Sequence, residues 1–334
     1  MEEETNKPIV ETTDETVPIK NKVVFNNFDL AVASAGLVFS IIFLVYPVIA
    51  ENKRLELASV AEALRPVEVS PFSSLALEAK AAYVLDLNSG EVIFEKNSEV
   101  QLPLASLTKI MTAITALSIV PEGTVITIDK EDLELEGDSG LYADERWRLG
   151  DLLGLTLIES SNDGAYAVAA SIGSVIGGVE DKNQSREAFV RSMNEKAKEL
   201  GLSQTYFNNP TGLDESAGFA GAYGSARDVA SLIAYGVSNY SDIFRTTRYA
   251  SLKVESLNAP SHTAVNTNKD LDGIPVIIAS KTGYTDLSGG NLAIIFNPGI
   301  NNPIAVVVLG STLNGRFQDV KNLAWAVIDS LVNN

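Results

Sequence analysis

The chain has 334 residues, 46% of them hydrophobic, with a net charge of −18, no cysteine and one histidine. That length and apolar fraction support a substantial core, and so negative a protein is a poor partner for nucleic acid or an anionic lipid surface. Without cysteine there is no thiol catalysis, disulfide or thiolate metal site, and one histidine, His262, cannot build a histidine-rich zinc site.

Residues 1–29 are polar and acid-rich (Glu2, Glu3, Glu4, Glu11, Asp14, Glu15) with Pro8 and Pro18, the composition of a disordered tail. Residues 30–50, from Leu30 to Ala50, are uncharged and mostly apolar, with Val38, Phe39, Ile41, Ile42, Phe43, Leu44 and Val45 at the centre. At 1.5 Å per residue the stretch spans about 30 Å, one bilayer core, and predicts a single N-terminal transmembrane helix. Val48-Ile49-Ala50 resembles a signal-peptidase site, but the long acidic leader and the length of the apolar run favour a retained anchor. Lys20 and Lys22 on one side face Lys53, Arg54 and Arg65 on the other, so the positive-inside rule does not fix the orientation.

Residues 51–75 read as a linker, a short helical pattern (Leu55, Leu57, Val60, Ala61, Leu64) broken by Pro66. From residue 76 to 334 the pattern is that of one folded domain. Strand-like runs at Ala81 to Leu87 and Glu91 to Phe94 flank the turn Asn88-Ser89-Gly90. A helix is predicted from about Ser106, with Pro103 at its start, followed by a strand at Val125 to Ile128 and helices at Leu149 to Ile158, Gly164 to Ile172, Glu187 to Leu200 and Ala226 to Tyr235. Val276 to Ala279, Leu292 to Phe296 and Ile304 to Leu309 are β-rich, and Phe317 to Leu331 is a final amphipathic helix. Strands at both ends with helices between predict an α+β unit whose sheet joins distant parts of the chain around a helical insertion.

Ser106 and Lys109 sit three residues apart at the start of the first helix of this domain, on one helical face, with Ile110, Met111, Ile114 and Leu117 forming the buried stripe. A serine hydroxyl needs an adjacent base to attack a carbonyl, and Lys109 is within reach. The lysine must first be made neutral: lowering its pKa by about three units requires roughly 4 kcal/mol of burial and like-charge repulsion. S-x-x-K arises about once by chance in a chain of this size, so the pair needs companions. Two follow in order: Ser160-Ser161-Asn162 between two apolar helices, and Lys281-Thr282-Gly283-Tyr284-Thr285, whose first three residues end the strand-like run Val276 to Ala279. His262, in the polar stretch Ser261-His262-Thr263, reads as a structural residue.

With these three motifs the sequence resembles the D-alanyl-D-alanine carboxypeptidase family of low-molecular-weight penicillin-binding proteins, whose signature is shared with class A β-lactamases. The resemblance covers about residues 76 to 331 and takes in Phe207 to Asp214, Ala226-Arg227-Asp228, Asn266-Thr267-Asn268 and Gly290-Asn291-Leu292. It departs at Gly221-Ala222-Tyr223-Gly224, where many members carry a histidine, and it stops before any additional C-terminal domain, so attachment is expected to fall to Leu30–Ala50.

The resemblance implies a penicillin-binding-protein/β-lactamase-like fold, an antiparallel sheet packed with helices plus a helical subdomain. It implies Ser106 as nucleophile, Lys109 as base, and Ser160 and Asn162 in proton transfer and substrate positioning. The backbone N–H groups of Ser106 and Tyr284 would form the oxyanion hole. Lys281, Thr282, Gly283, Tyr284, Thr285 and Arg316 would bind the substrate, with Thr282 and Arg316 near its terminal carboxylate and Lys281 disfavouring protonation of Lys109. The implied substrate is a peptidoglycan stem peptide ending in D-Ala-D-Ala, the implied inhibitors are β-lactams, and no metal or organic cofactor is required. Such a substrate places the catalytic domain outside the bacterial cytoplasmic membrane. A D,D-endopeptidase and a penicillin-binding sensor use the same groups, and a β-lactamase would need a deacylating carboxylate such as Glu199.

Overall fold

The computed structural model describes residues 26–63, 70–137 and 139–333, so the acidic tail up to residue 25 and positions 64–69 of the expected linker lie outside the described residues. The chain divides into two units, Met1–Glu68 and Val69–Asn334. In the first, helix α1 (Asn27–Ala63, 37 residues) contains Pro47 and runs well past Ala50. Glu51 to Ala63 is rich in Glu, Lys, Arg, Leu and Ala, all good helix formers, and Pro66 is the first breaker it meets. Within Leu30–Val60 its most apolar 18-residue window has a mean hydropathy of 2.3 and no buried residue, and among the described residues this helix alone is long and apolar enough to cross a membrane.

In the second unit β1 (Ala81–Asp86) and β2 (Val92–Lys96) form the hairpin around Asn88-Ser89-Gly90, with Gly90 at φ +74°. After the two-residue β3 (Leu102–Pro103) come α2 (Thr108–Ile119), β4 (Val125–Thr127), β5 (Arg146–Arg148), α3 (Leu149–Glu159), α4 (Asn162–Gly177) and α5 (Lys182–Glu199). The short β6 (Tyr206–Phe207) and β7 (Ala222–Gly224) lead to α6 (Ala226–Asn239), α7 (Ser241–Phe244), β8 (Ser251–Val254) and β9 (His262–Val265). Three long strands, β10 (Ile277–Thr285), β11 (Gly289–Phe296) and β12 (Ile304–Ser311), and helix α8 (Gly315–Asn333) follow.

The main sheet runs β10-β11-β12-β1-β2, antiparallel throughout, and so joins the two ends of the unit as the α+β reading requires. Its central strands are apolar without alternation because both faces are covered. Ala82, Val84, Ile294, Val306 and Val308 turn toward Val320, Leu323, Ala324 and Val327 of α8. Their neighbours Ala81, Tyr83, Ile295, Val307 and Leu309 turn toward the residues of the helical layer, among them Leu107, Ile110, Ile114, Leu152, Leu153, Val229 and Ile233. Asp319 of α8, 2% exposed, accepts from the backbone N–H groups of Glu78 and Ala79 and from Ser311 Oγ, at 3.0, 2.8 and 2.6 Å. Phe72, Leu75 and Leu77 pack on the α8 face, so the compact unit already includes positions ahead of residue 76.

Two predicted details differ. Pro103 lies in β3, paired with Tyr223, because Leu104 N–H bonds to Ala222 O at 3.0 Å and holds that segment extended. The Lys281-Thr282-Gly283 triplet lies in the middle of β10 rather than at its end, since the whole run to Thr285 pairs with β11.

Helices α4 and α5 close the helical layer around Gly173, where an added Cβ would lie 1.8 Å from the Ser185 carbonyl oxygen. Helix propensity favours alanine by about 0.8–1 kcal/mol, but overpacking against a backbone that cannot rotate away costs about 1–3 kcal/mol. Gly173→Ala is therefore expected to lower the midpoint of thermal unfolding, measured by circular dichroism; a raised midpoint would refute this packing.

Candidate active site

Ser106 sits in a 3-10 turn, Ala105–Leu107, just ahead of α2. Ala105 adopts φ +47°, a left-handed conformation that costs a non-glycine residue about 1–3 kcal/mol and is held only by its surroundings. Those surroundings are on both sides. Asn291 of β11 donates to the carbonyls of Pro103 and Leu104 at 3.0 and 3.1 Å and accepts from Gly310 N–H at 2.8 Å. Gly212, at φ +82°, lies so close that a Cβ there would be 1.9 Å from the Ala105 oxygen.

Lys109, on the first turn of α2, is fully buried, with Nζ 2.9 Å from Ser106 Oγ, 2.7 Å from Asn162 Oδ1 and 2.8 Å from the Thr211 carbonyl. Two of these partners can only accept, while the serine hydroxyl can also donate. A neutral amine fits the set: its two hydrogens serve the carbonyl oxygens and its lone pair faces the Ser106 O–H. Asn162 is oriented for this by its own Nδ2, which donates to Glu136 O at 2.6 Å. Burial lowers the Lys109 pKa to about 7, with the Asp163 carboxylate pulling the other way. The net shift corresponds to about 5 kcal/mol against the charged form at roughly 1.36 kcal/mol per pKa unit.

Ser160 ends α3 in the left-handed region, φ 65° and ψ 35°, and Ser161 caps α4 by accepting from Gly164 N–H at 2.9 Å. The sharp turn sends the Ser160 hydroxyl to Lys281 rather than to Lys109: Lys281 Nζ donates to Ser160 Oγ and to Thr282 O, both at 2.8 Å. Burial, Lys109 and Arg316 together push Lys281 well below the usual lysine range. Burial is the leading cause at both lysines.

Lys281, Thr282, Gly283, Tyr284 and Thr285 lie on β10, the edge strand of the sheet, alongside the nucleophile's turn. A Cβ on Gly283 would lie 2.9 Å from Leu104 O and 3.2 Å from Ser106 N, so glycine permits the close approach of strand and turn. Thr282 Oγ1 meets Thr267 Oγ1 at 2.6 Å, Tyr284 presents an exposed side chain, and Thr285 Oγ1 donates to Asp214 Oδ1 at 3.0 Å. Arg316, at the start of α8, is buried behind this strand, with Nη1 donating to Gly283 O at 2.6 Å. Burial lowers it to about 10, where it keeps its charge at neutral pH.

Three participants were invisible as such in the sequence: the Thr211 carbonyl, the Glu136 carbonyl and Asp214, whose Oδ2 also accepts from Leu287 N–H at 3.2 Å. The turn signal Pro210-Thr211-Gly212 marked the first; main-chain acceptors leave no residue-type trace. His262 bonds Glu145 through Nε2 at 2.8 Å and packs on Trp147, a structural placement. Glu199 is 66% exposed and paired with Lys196 at the end of α5, with no contact to the groups above.

Residues 68–312 match the model of the D-alanyl-D-alanine carboxypeptidase family. The chain is 34% identical over 257 residues to the D-alanyl-D-alanine carboxypeptidase DacF of Bacillus subtilis, covering 75% of this chain and 62% of that protein. It is 30% identical over 240 residues to a D-alanyl-D-alanine endopeptidase of Pseudomonas aeruginosa, covering 70% and 71% respectively. The crystal structure of the Streptomyces K15 DD-transpeptidase superposes with a TM-score of 0.68 at 22% identity, over 76% of this chain and 99% of that one, and so shares the fold. The chain spans about three fifths of the length of the carboxypeptidase relatives it matches, 62%, 60% and 61%. On the extent of these matches, the chain belongs to the D-alanyl-D-alanine carboxypeptidase family.

Proposed function

We propose that this protein is a serine-type D-alanyl-D-alanine carboxypeptidase that removes the terminal D-alanine of peptidoglycan stem peptides. The observation that carries the reading is the 2.9 Å contact between a fully buried lysine amine and the Ser106 hydroxyl. In the proposed cycle Ser106 Oγ attacks the carbonyl of the penultimate D-alanine while its proton passes to Lys109 Nζ. The tetrahedral oxyanion is held by the backbone N–H groups of Ser106 and Tyr284. The C–N bond then breaks, a proton passes to the leaving D-alanine nitrogen, and an ester remains on Ser106. Water activated by the again neutral Lys109 hydrolyses the ester and restores the serine.

Asn162 orients the base, and Ser160 links the proton path to Lys281. Arg316 supplies the positive charge, and Lys281, Thr282 and Thr285 the hydrogen-bond donors, of the edge that a terminal carboxylate requires, and Gly283 lets the substrate strand approach. The β-lactams fit the same groups, since acylation needs only nucleophile, base and oxyanion hole. No cofactor enters this scheme. A D,D-endopeptidase acting on cross-links is the second reading, favoured by the relative of that name in Pseudomonas aeruginosa. The exposed Glu199 gives little support to a β-lactamase.

The catalytic domain, taken as residues 76–334, would lie outside the bacterial cytoplasmic membrane, tethered by a single-pass anchor at Leu30–Ala50 with the acidic tail inside. The substrate exists only on that side, and the apolar, unburied α1 is consistent with the tether.

Two experiments test this. Purified protein should release D-alanine from a pentapeptide and take labelled penicillin on Ser106. Ser106→Ala should lose both without a change in unfolding midpoint, and Lys109→Ala should lower acylation by roughly 10²–10⁴-fold. An adduct on another serine would refute the nucleophile, penicillin binding without D-alanine release would favour a sensor, and steady penicillin hydrolysis would move the protein to the β-lactamases. For topology, protease added to intact spheroplasts should digest a tag at Asn334 and spare one at Met1; the reverse pattern would refute the orientation.

A further inference from the structure

A cavity of about 270 Å³ opens beside the Ser160–Asn162 turn, lined by Gly137, Ser139, Glu159, Ser160, Asn162 and Val265. Glu159 is the charged member of this lining. Its Oε1 accepts from Val265 N–H at 3.1 Å, and among the described residues neither carboxylate oxygen meets a lysine or arginine. His262 is near enough to act on it, but its Nε2 is committed to Glu145. Glu159 is half-buried, and burial raises its pKa against the opposing effects of the Val265 N–H and His262. A glutamine could accept the same Val265 hydrogen bond without the cost of a desolvated charge, so the backbone contact does not account for a carboxylate here.

The position of that charge is informative. Arg316, which keeps its charge at neutral pH, makes the β10 side of the site positive, where a peptide's terminal carboxylate belongs. Glu159 makes the opposite, Asn162 side negative, where the acyl-donor portion of the same peptide must run. We propose that this cavity is a subsite for a free amine on the acyl-donor portion of the substrate, and that Glu159 selects for that amine. The inference rests on the carboxypeptidase reading. A stem peptide carries a diamino acid just before its two D-alanines, and its side-chain amine is free only until it is cross-linked. Glu159 would therefore direct the enzyme to donors whose amine has not yet been consumed, ahead of the cross-linking reaction.

The test uses two tripeptides, acetyl-L-lysyl-D-alanyl-D-alanine with its side-chain amine free or acetylated. At low ionic strength the protein should favour the free amine by about tenfold in kcat/KM, the size expected of one charge-assisted contact in a partly solvated site, and added salt should shrink the ratio. Glu159→Gln keeps the Val265 contact and should bring the ratio close to one while leaving the acetylated peptide and penicillin acylation unchanged. Glu159→Lys should reverse the preference toward a succinylated amine. A ratio near one in the unaltered protein, or an undiminished ratio in Glu159→Gln, would overturn the proposal. If neither peptide releases D-alanine, the carboxypeptidase reading fails separately. The subsite is then read from the same two peptides as protectors of Ser106 against penicillin, with the same ratio expected and the same results overturning it.

Discussion

The site depends on an amine that the fold keeps dry. Lys109 is fully buried, and lowering its pKa to about 7 costs about 5 kcal/mol, comparable with the whole stability of many single domains at about 5–15 kcal/mol. The cost is tolerable only because the surrounding apolar core is large and the amine's own hydrogens are satisfied. Asn162 Oδ1 and Thr211 O accept those hydrogens and so aim the lone pair at Ser106. Without them a neutral lysine would have no fixed direction.

The same constraint reaches outward through the sheet. Strand β10 must lie against the nucleophile's turn, and three groups far apart in sequence hold it there. Arg316 grips the Gly283 carbonyl from α8, Asp214 ties Thr285 and Leu287 to the loop that carries Thr211, and Asn291 on the next strand fixes the carbonyls before Ser106. Asp319 then fastens α8 itself to the chain ahead of β1. The left-handed Ala105 and Ser160 are strained points in this frame, the first directly before Ser106 and the second bonded to Lys281.

Much of this was legible in the chain. The β-rich runs at Leu292 to Phe296 and Ile304 to Leu309, far from Ala81 to Leu87, marked a sheet built from distant parts of the chain around a helical insertion, and the spacing of Ser106 and Lys109 marked a nucleophile and base. What could not be read were partners supplied by the main chain, such as the Thr211 and Glu136 carbonyls, because any residue type provides them. Boundaries shifted where tertiary pairing overrode local signals. Pro103 joined a strand through Leu104 and Ala222, the Lys281 triplet was drawn into β10 by its ladder, and helix formers carried α1 past Ala50. The partner of Ser160 was also hidden, since it is the left-handed turn that points this hydroxyl at Lys281.

The central claim is that burial makes Lys109 a base at neutral pH. The most direct measurement is the second-order rate constant for penicillin acylation of Ser106 as a function of pH. With the Lys109 pKa near 7, the rate should fall about tenfold per pH unit below that value and level off above it. A rate that keeps climbing to pH 10, as an ordinary solvated lysine would dictate, would contradict the account.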